Sequence, residues 1–195
     1  MRYTEEDKER TRRRILESAG RLFKADGIGG TGIAGLMSDV GLTNGAFYKH
    51  FSSKDDLVAN AVISQLAVQL SRVNALPPGR AGLQEFIRYY LSPEHRDNAA
   101  LGCPSAALLN EISRHSTEVR QAFTDSFAAF IDALASRVNP DNPTASTTAV
   151  TTAFALMAGT MQISRALTDT TLADELLRRA ATDALTLLDT AANQN

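Results

Sequence analysis

Residues 31–51 read Thr-Gly-Ile-Ala-Gly-Leu-Met-Ser-Asp-Val-Gly-Leu-Thr-Asn-Gly-Ala-Phe-Tyr-Lys-His-Phe, and their pattern decides the fold. Two short amphipathic helices meet across Gly41, at a turn too tight for most side chains, where glycine tolerates a positive φ. Ile33, Leu36, Met37, Val40, Leu42, Phe47 and Phe51 can face inward against a preceding helix. The outward face of the second short helix then carries Asn44, Gly45, Ala46, Tyr48, Lys49 and His50. These are donors and small groups of the kind that approach phosphates and enter a major groove. Taken alone, two short helices around a glycine are also an ordinary structural corner.

The flanks extend the helical pattern in both directions. Upstream, Ile15, Leu16, Ala19, Leu22 and Phe23 form one apolar stripe on a first helix that stops at Asp26-Gly27. Thr31 is expected to cap a second helix to about residue 40, and Thr43 a third to about residue 51. Ser53 with Asp56 resembles a capping box and opens a long fourth helix, which Pro77-Pro78-Gly79 ends. At 1.5 Å per residue that helix spans roughly 30 Å, enough to join a small head to a separate core. Leu83, Phe86, Ile87, Tyr90 and Leu91 mark a fifth helix, and residues 92–102 read as a polar loop. Pro104 starts a sixth helix and Ser116 a seventh, with Val119, Phe123, Phe127, Phe130, Ile131 and Leu134 on its stripe. After Asn139-Pro-Asp-Asn-Pro143, two alanine-rich helices are expected over about 144–167 and 172–192. No stretch alternates with the period of a strand, so the fold class is all-α.

Composition bounds the function only loosely. Hydrophobic residues are 44% of 195, too many for a disordered chain, and the net charge is -2. All four lysines (Lys8, Lys24, Lys49, Lys54) fall in the first third, a mild asymmetry that would not by itself name a nucleic-acid binder. The single cysteine, Cys103, excludes an intramolecular disulfide framework. No apolar run reaches the length of a membrane span, and the stretch from Met1 to Lys8 is charged rather than apolar. A cytoplasmic protein without membrane attachment is expected. No spacing of His, Cys, Asp and Glu supports a metal site or a catalytic triad, so neither metal nor cofactor is expected.

The wider arrangement resembles the TetR family of transcriptional regulators. The resemblance rests on Ile15-Leu16-Glu17-Ser18-Ala19-Gly20-Arg21-Leu22-Phe23 and on the run Gly41-Leu42-Thr43-Asn44-Gly45-Ala46-Phe47-Tyr48-Lys49-His50-Phe51-Ser52-Ser53-Lys54. It covers less than a third of the chain. It implies an N-terminal three-helix DNA-binding head (1–53) joined by the fourth helix to a C-terminal helical effector-binding and dimerisation domain (54–195). It also implies a double-stranded, near-palindromic operator, a homodimer and a small-molecule effector. Thr31, Thr43, Tyr48, His50 and Lys54 would hold backbone phosphates. Asn44, Ala46 and Lys49 would reach base edges, and Gly45 would permit close approach. Arg10, Arg12, Arg13 and Arg14 read either as a solvated face or as an arm along the duplex.

The larger part is less informative. Leu156, Gly159, Thr160 and Ile163 form one seam, and Leu177, Ala181, Ala184 and Leu188 another, suited either to a four-helix interface between two copies or to a monomeric core. Phe86, Tyr89, Tyr90, Phe123, Phe127, Met157 and Met161, with Glu111 and His115 as polar anchors, are candidate pocket residues or plain core. Cys103 before Pro104 is either a redox or electrophile sensor or a small inert hydrophobe. Two other classes stay open beside the regulator: a small enzyme using His95, His115 and Cys103, and an interaction protein whose corner is structural.

Overall fold

Thr4 starts the chain's first helix by a reciprocal cap. Its hydroxyl accepts from the Asp7 N–H at 3.1 Å, and the Asp7 carboxylate accepts from the Thr4 N–H at 3.1 Å. The computed structural model describes residues 4–192, so the first residues of the charged N-terminal stretch lie outside it. Among the described residues every regular element is helical. α1 (Glu5–Asp26) is followed by α2 (Ile33–Asp39), a 3₁₀ reading helix (Asn44–Lys49) and the long α3 (Lys54–Ala75). Then come α4 (Gly79–Tyr90), α5 (Pro93–Asp97), a 3₁₀ turn (Ala99–Leu101), α6 (Pro104–Ile112), α7 (Thr117–Val138), α8 (Pro143–Ala166) and α9 (Thr170–Ala192).

Local signals explain most boundaries. Ser53 accepts from the Asp56 N–H at 3.0 Å, while the Asp56 carboxylate reaches one residue further back, to the Ser52 N–H at 2.8 Å. The expected box at the start of α3 is therefore half reciprocal. Asp169 caps α9 by accepting from Thr171 N–H at 2.9 Å and Leu172 N–H at 3.1 Å, two residues earlier than the apolar pattern suggests. The expected polar loop over 92–102 is a correction. Ser92 accepts from the His95 N–H at 3.1 Å with Pro93 in the first turn, and the segment folds into α5 and the 3₁₀ turn. Five residues are too few to display a helical period, so only the cap was readable.

α3 packs along α7, α7 against α8, and α8 against α9, while α1 lies across α3, α2 and α6. Two apolar clusters result. One joins α4, α7, α8 and α9 through Phe86, Tyr90, Phe130, Phe154, Met157 and Leu177. The other holds Ile15, Phe23, Leu36, Met37, Phe47 and Phe51 of the head, and also Leu57 to Leu66 of α3 with Leu108, Ile112 and Val119 of α6 and α7. Packing thus runs through the sequence position 53/54 without a break. No helix among the described residues is long and apolar enough to cross a membrane.

Because Ile112 is buried in the head's cluster although it belongs to α6, Ile112→Ala is expected to lower unfolding stability by about 3 kcal/mol. Urea titration at fixed protein concentration, followed by far-UV circular dichroism, should give a single transition for both proteins. A head that melts separately from the rest would contradict the shared cluster.

Candidate nucleic-acid interface

Gly41 adopts φ +71°, the left-handed conformation its turn requires, and its N–H donates to Ser38 O at 3.0 Å. Leu42 N–H returns to Met37 O at 2.8 Å, which fixes the angle at which the reading helix leaves α2. Phe47 anchors that helix: it is fully buried and stacks on Phe51 with ring centroids 5.7 Å apart. With Phe47 inward, Thr43, Asn44, Gly45, Tyr48 and Lys49 are exposed, and Ala46 and His50 are half-buried. Tyr48 is 68% exposed. The helix is 3₁₀ rather than α, so Ala46 and Lys49 lie on one edge and Gly45 and Tyr48 on another.

The ends of these short helices are held from α1. Arg14 donates to Val40 O at 2.8 Å, and Val40 is the C-cap of α2. Arg12 donates to the carbonyl of His50, the C-cap of the reading helix, and to Asn60 Oδ1 at 2.8 Å. Its guanidinium also lies 4.3 Å over the Phe51 ring. Arg10 pairs with Asp7. The arginine run is therefore neither a free arm nor a purely solvated face.

Two expected phosphate contacts, Thr31 and Lys54, are placed differently. Thr31 is buried, its hydroxyl donates to Gly27 O at 2.9 Å, and Gly32 rather than Thr31 is the N-cap of α2. Thr43 stands at the N-cap of the reading helix without a side-chain cap bond, which leaves its hydroxyl exposed. Lys54 turns back to Ile28 O at 2.7 Å. Burial, and then the nearby charges of Arg12, Lys8 and Lys49, push the His50 imidazole below its ordinary value.

An exposed donor-rich reading helix on a buried three-helix corner defines the helix-turn-helix class of DNA-binding heads. Residues 15–61 match the model for bacterial regulatory proteins of the tetR family. Over 58 residues the chain is 40% identical to the HTH-type transcriptional regulator TtgR of Pseudomonas putida, covering 30% of this chain and 28% of that one. Over 56 residues it is 39% identical to the regulator AcrR of Shigella flexneri, covering 29% and 26%. The chain thus spans about a quarter of the length of the curated relatives it matches. The crystal structure of the reduced form of Escherichia coli NemR superposes with a TM-score of 0.76 at 19% identity, over 90% of this chain and 95% of that one. That likeness carries the fold beyond the head. The tetR-family match thus covers the head, residues 15–61, and the remainder shares the fold of NemR.

The residues expected to form one pocket are only partly brought together: Phe86, Tyr90, Met157 and Met161 share one cluster with Phe127 against it, and Phe86 and Tyr89 line a cleft of about 430 Å³. Phe86, Tyr90, Met157 and Met161 are core, and the space among α4, α7, α8 and α9 that Phe86 and Met157 help to line is only about 10 Å³. Phe123 and Phe127 are half-buried and stacked at 5.3 Å. Phe123 packs on the head's cluster, whereas Tyr89 is exposed and accepts from Arg72 at 2.8 Å. Glu111 and His115 stand at the far end of α6. The Glu111 carboxylate accepts from the Gly29 N–H at 2.9 Å, and His115 lies 3.5 Å from Asp55. A helical period groups residues by face, not by height along the bundle, which is why this set was misjoined. The second seam is corrected likewise. Leu177, Ala184 and Leu188 are buried in this chain's own core, with Ala181 packed beside them, and Thr160 is buried too. Leu156 and Gly159 are half-buried, and Ile163 is 55% exposed.

The loop reading hid the burial of His95. It is buried, its Nδ1 lies 2.6 Å from Tyr90 O, and its Nε2 accepts the Cys103 N–H at 3.0 Å. Burial first, with Arg165, Arg72 and Lys24 around it, lowers its pKa to about 4. Burial also pushes the Cys103 thiol up, the opposite of the depressed value a reactive thiolate needs. His115 is elsewhere, beside Asp55, so the three candidate enzyme residues do not converge.

Since the unfolded chain protonates His95 near pH 6.5 and the folded chain near 4, its contribution to stability is present above 6.5 and is lost as pH falls from 6.5 to about 4. The loss is on the order of 3 kcal/mol. Denaturant titrations at several pH values should show a shallower decline over this window for His95→Gln than for the natural chain. Parallel declines would refute the assignment.

Proposed function

We propose that the chain is a transcriptional repressor that binds a near-palindromic operator as a homodimer and leaves it when a small-molecule effector binds. The observation that carries this reading is the outward set Thr43, Asn44, Gly45, Tyr48 and Lys49, held exposed by the burial of Phe47. Thr43, Tyr48 and His50 contact backbone phosphates, and Asn44, Ala46 and Lys49 address base edges. Gly45 lets the backbone approach. Thr31 and Lys54, occupied by Gly27 and Ile28 carbonyls, brace the loop before α2. The functional units are the head, 1–53, and the remainder, 54–195.

One small head makes few base contacts, so two heads on successive major grooves are what affinity requires. The outer faces of α8 and α9 supply the surface, with Leu156, Gly159 and Ile163 on α8 and the exposed Leu172 and Leu187 on α9. An effector acts by binding the operator-competent and released states with different affinity. The packing of head residues with Ile112 and Val119 supports such coupling, because the head cannot tilt without disturbing α6 and α7.

Selection from a random duplex pool, followed by mobility shift, tests the reading. A two-fold related motif should be recovered, and Asn44→Ala or Lys49→Ala should weaken it about tenfold with changed base preference. Failure to protect any palindrome would sink the proposal. For the dimer, Ile163→Glu should raise the monomer fraction in analytical ultracentrifugation and lower operator affinity in parallel. Retention of a dimer by that variant would move the interface off this face.

A further inference from the structure

Between α1 and α3 runs a trough of about 470 Å³, closed at one end by Ala100 and Leu101. It adjoins a cleft of about 430 Å³ toward α4, and both are bounded by Gln69 and Arg72. Beside it, Gly20 lets the Gln65 amide, which a Cβ would approach to 2.4 Å, lie against α1 and reach Lys24. Four cations line the trough (Arg14, Arg21, Lys24, Arg72) against two carboxylates, Glu17 and Asp39. Asp39 is already bound by Ser18 at 2.5 Å and Arg21 at 2.6 Å, so the balance is positive.

Two floor residues are incompletely served. Lys24 is only 8% exposed, and its ammonium donates to Gln65 Oε1 at 2.7 Å and Gly102 O at 2.9 Å, both neutral. No carboxylate pairs with it among the described residues, an arrangement that is costly for a buried cation. Its pKa is lowered to about 8 by burial, which Cys103 opposes in part and to which the Arg72 and Arg165 charges add lesser effects. Gln69 is 4% exposed, yet its amide makes no hydrogen bond among the described residues and lines both clefts. Beside these donors the rim is aliphatic: Leu101 is 64% exposed and Val68 nearly half exposed, with Val40 and Ala100 adjoining.

We propose that this trough binds small organic carboxylates with an aliphatic body, the carboxylate meeting Lys24, Gln69 and Arg72 and the body lying on Val68 and Leu101. A single ammonium beside an amide suits a two-oxygen, singly charged group, and the exposed Leu101 and Val68 would be covered by an alkyl chain that inorganic anions lack. The walls come from the head (α1) and from α3 and the 3₁₀ turn, so a bound carboxylate bridges the two. The proposal deepens the effector reading and rests on it only for the consequence at the operator, since binding is measured without DNA.

Isothermal titration calorimetry of the full chain at neutral pH, with octanoate and separately with octanamide, tests it. Octanoate should bind, and octanamide should bind at least about tenfold more weakly. Arg72→Ala and Gln69→Leu should each weaken octanoate about tenfold with an unchanged far-UV spectrum. Lys24→Met should abolish binding if it folds, and the other two variants decide the matter if it does not. Equal affinity for both probes, indifference to Arg72→Ala and Gln69→Leu, or no heat with millimolar octanoate would each overturn the site. A chain that binds octanoate but protects no operator would fail the repressor reading alone.

Discussion

Arg12 and Arg14 close the C-terminal ends of both helices of the motif. α2 has seven residues and the reading helix six, lengths at which an isolated helix does not persist in water. Their last carbonyls have no partner within the helix, and a guanidinium there satisfies them while opposing the negative end of the helix dipole. Arg14 does this at Val40 and Arg12 at His50, both from α1. Arg12 also reaches Asn60 and covers Phe51, so one side chain joins α1, the reading helix and α3. The outward presentation of Asn44, Tyr48 and Lys49 follows from that clamp and from the burial of Phe47.

The sequence made the motif legible because its signals agree at every level: Gly41 at the turn, the inward set from Leu36 to Phe51, and Ser53 at the start of α3. Arg12 and Arg14 were not legible, because an arginine run beside Glu5, Glu6, Asp7 and Glu9 has the composition of a solvated face. The burial of His95 was missed because α5 is too short to show a period and one of its partners, Arg165, lies seventy residues away and donates to His95 O at 2.8 Å. Periodicity in α9 marked the buried face correctly, but no pattern within one chain says whether that face meets its own core or a second copy. Leu177, Ala184 and Leu188 meet their own core. Glu111 was assigned to a pocket by residue type, whereas its partner, the Gly29 N–H, is set by tertiary structure alone.

The junction between head and bundle combines two kinds of contact. Ile112 and Val119 give it apolar continuity. Polar pins cross it as well: Lys24 to Gly102 O, Glu111 to the Gly29 N–H, and Lys54 to Ile28 O at the root of α3. Apolar packing tolerates small slides, but hydrogen bonds of this length do not. A movement of α1 relative to the bundle therefore breaks specific bonds rather than deforming a continuous surface, the property expected of an element with two discrete positions.

The shared cluster also bears on how such proteins are recombined. A head exchanged at residue 53 would arrive without the α6 side chains against which α1 is packed, and would leave Leu108, Ile112 and Val119, which share its apolar cluster, facing a foreign surface. Transplanting this reading helix into another regulator to build a sensor with a new output thus calls for grafting the matching positions of α6 and α7 together with the head. The unit of exchange is a discontinuous set of residues, not the N-terminal third of the chain.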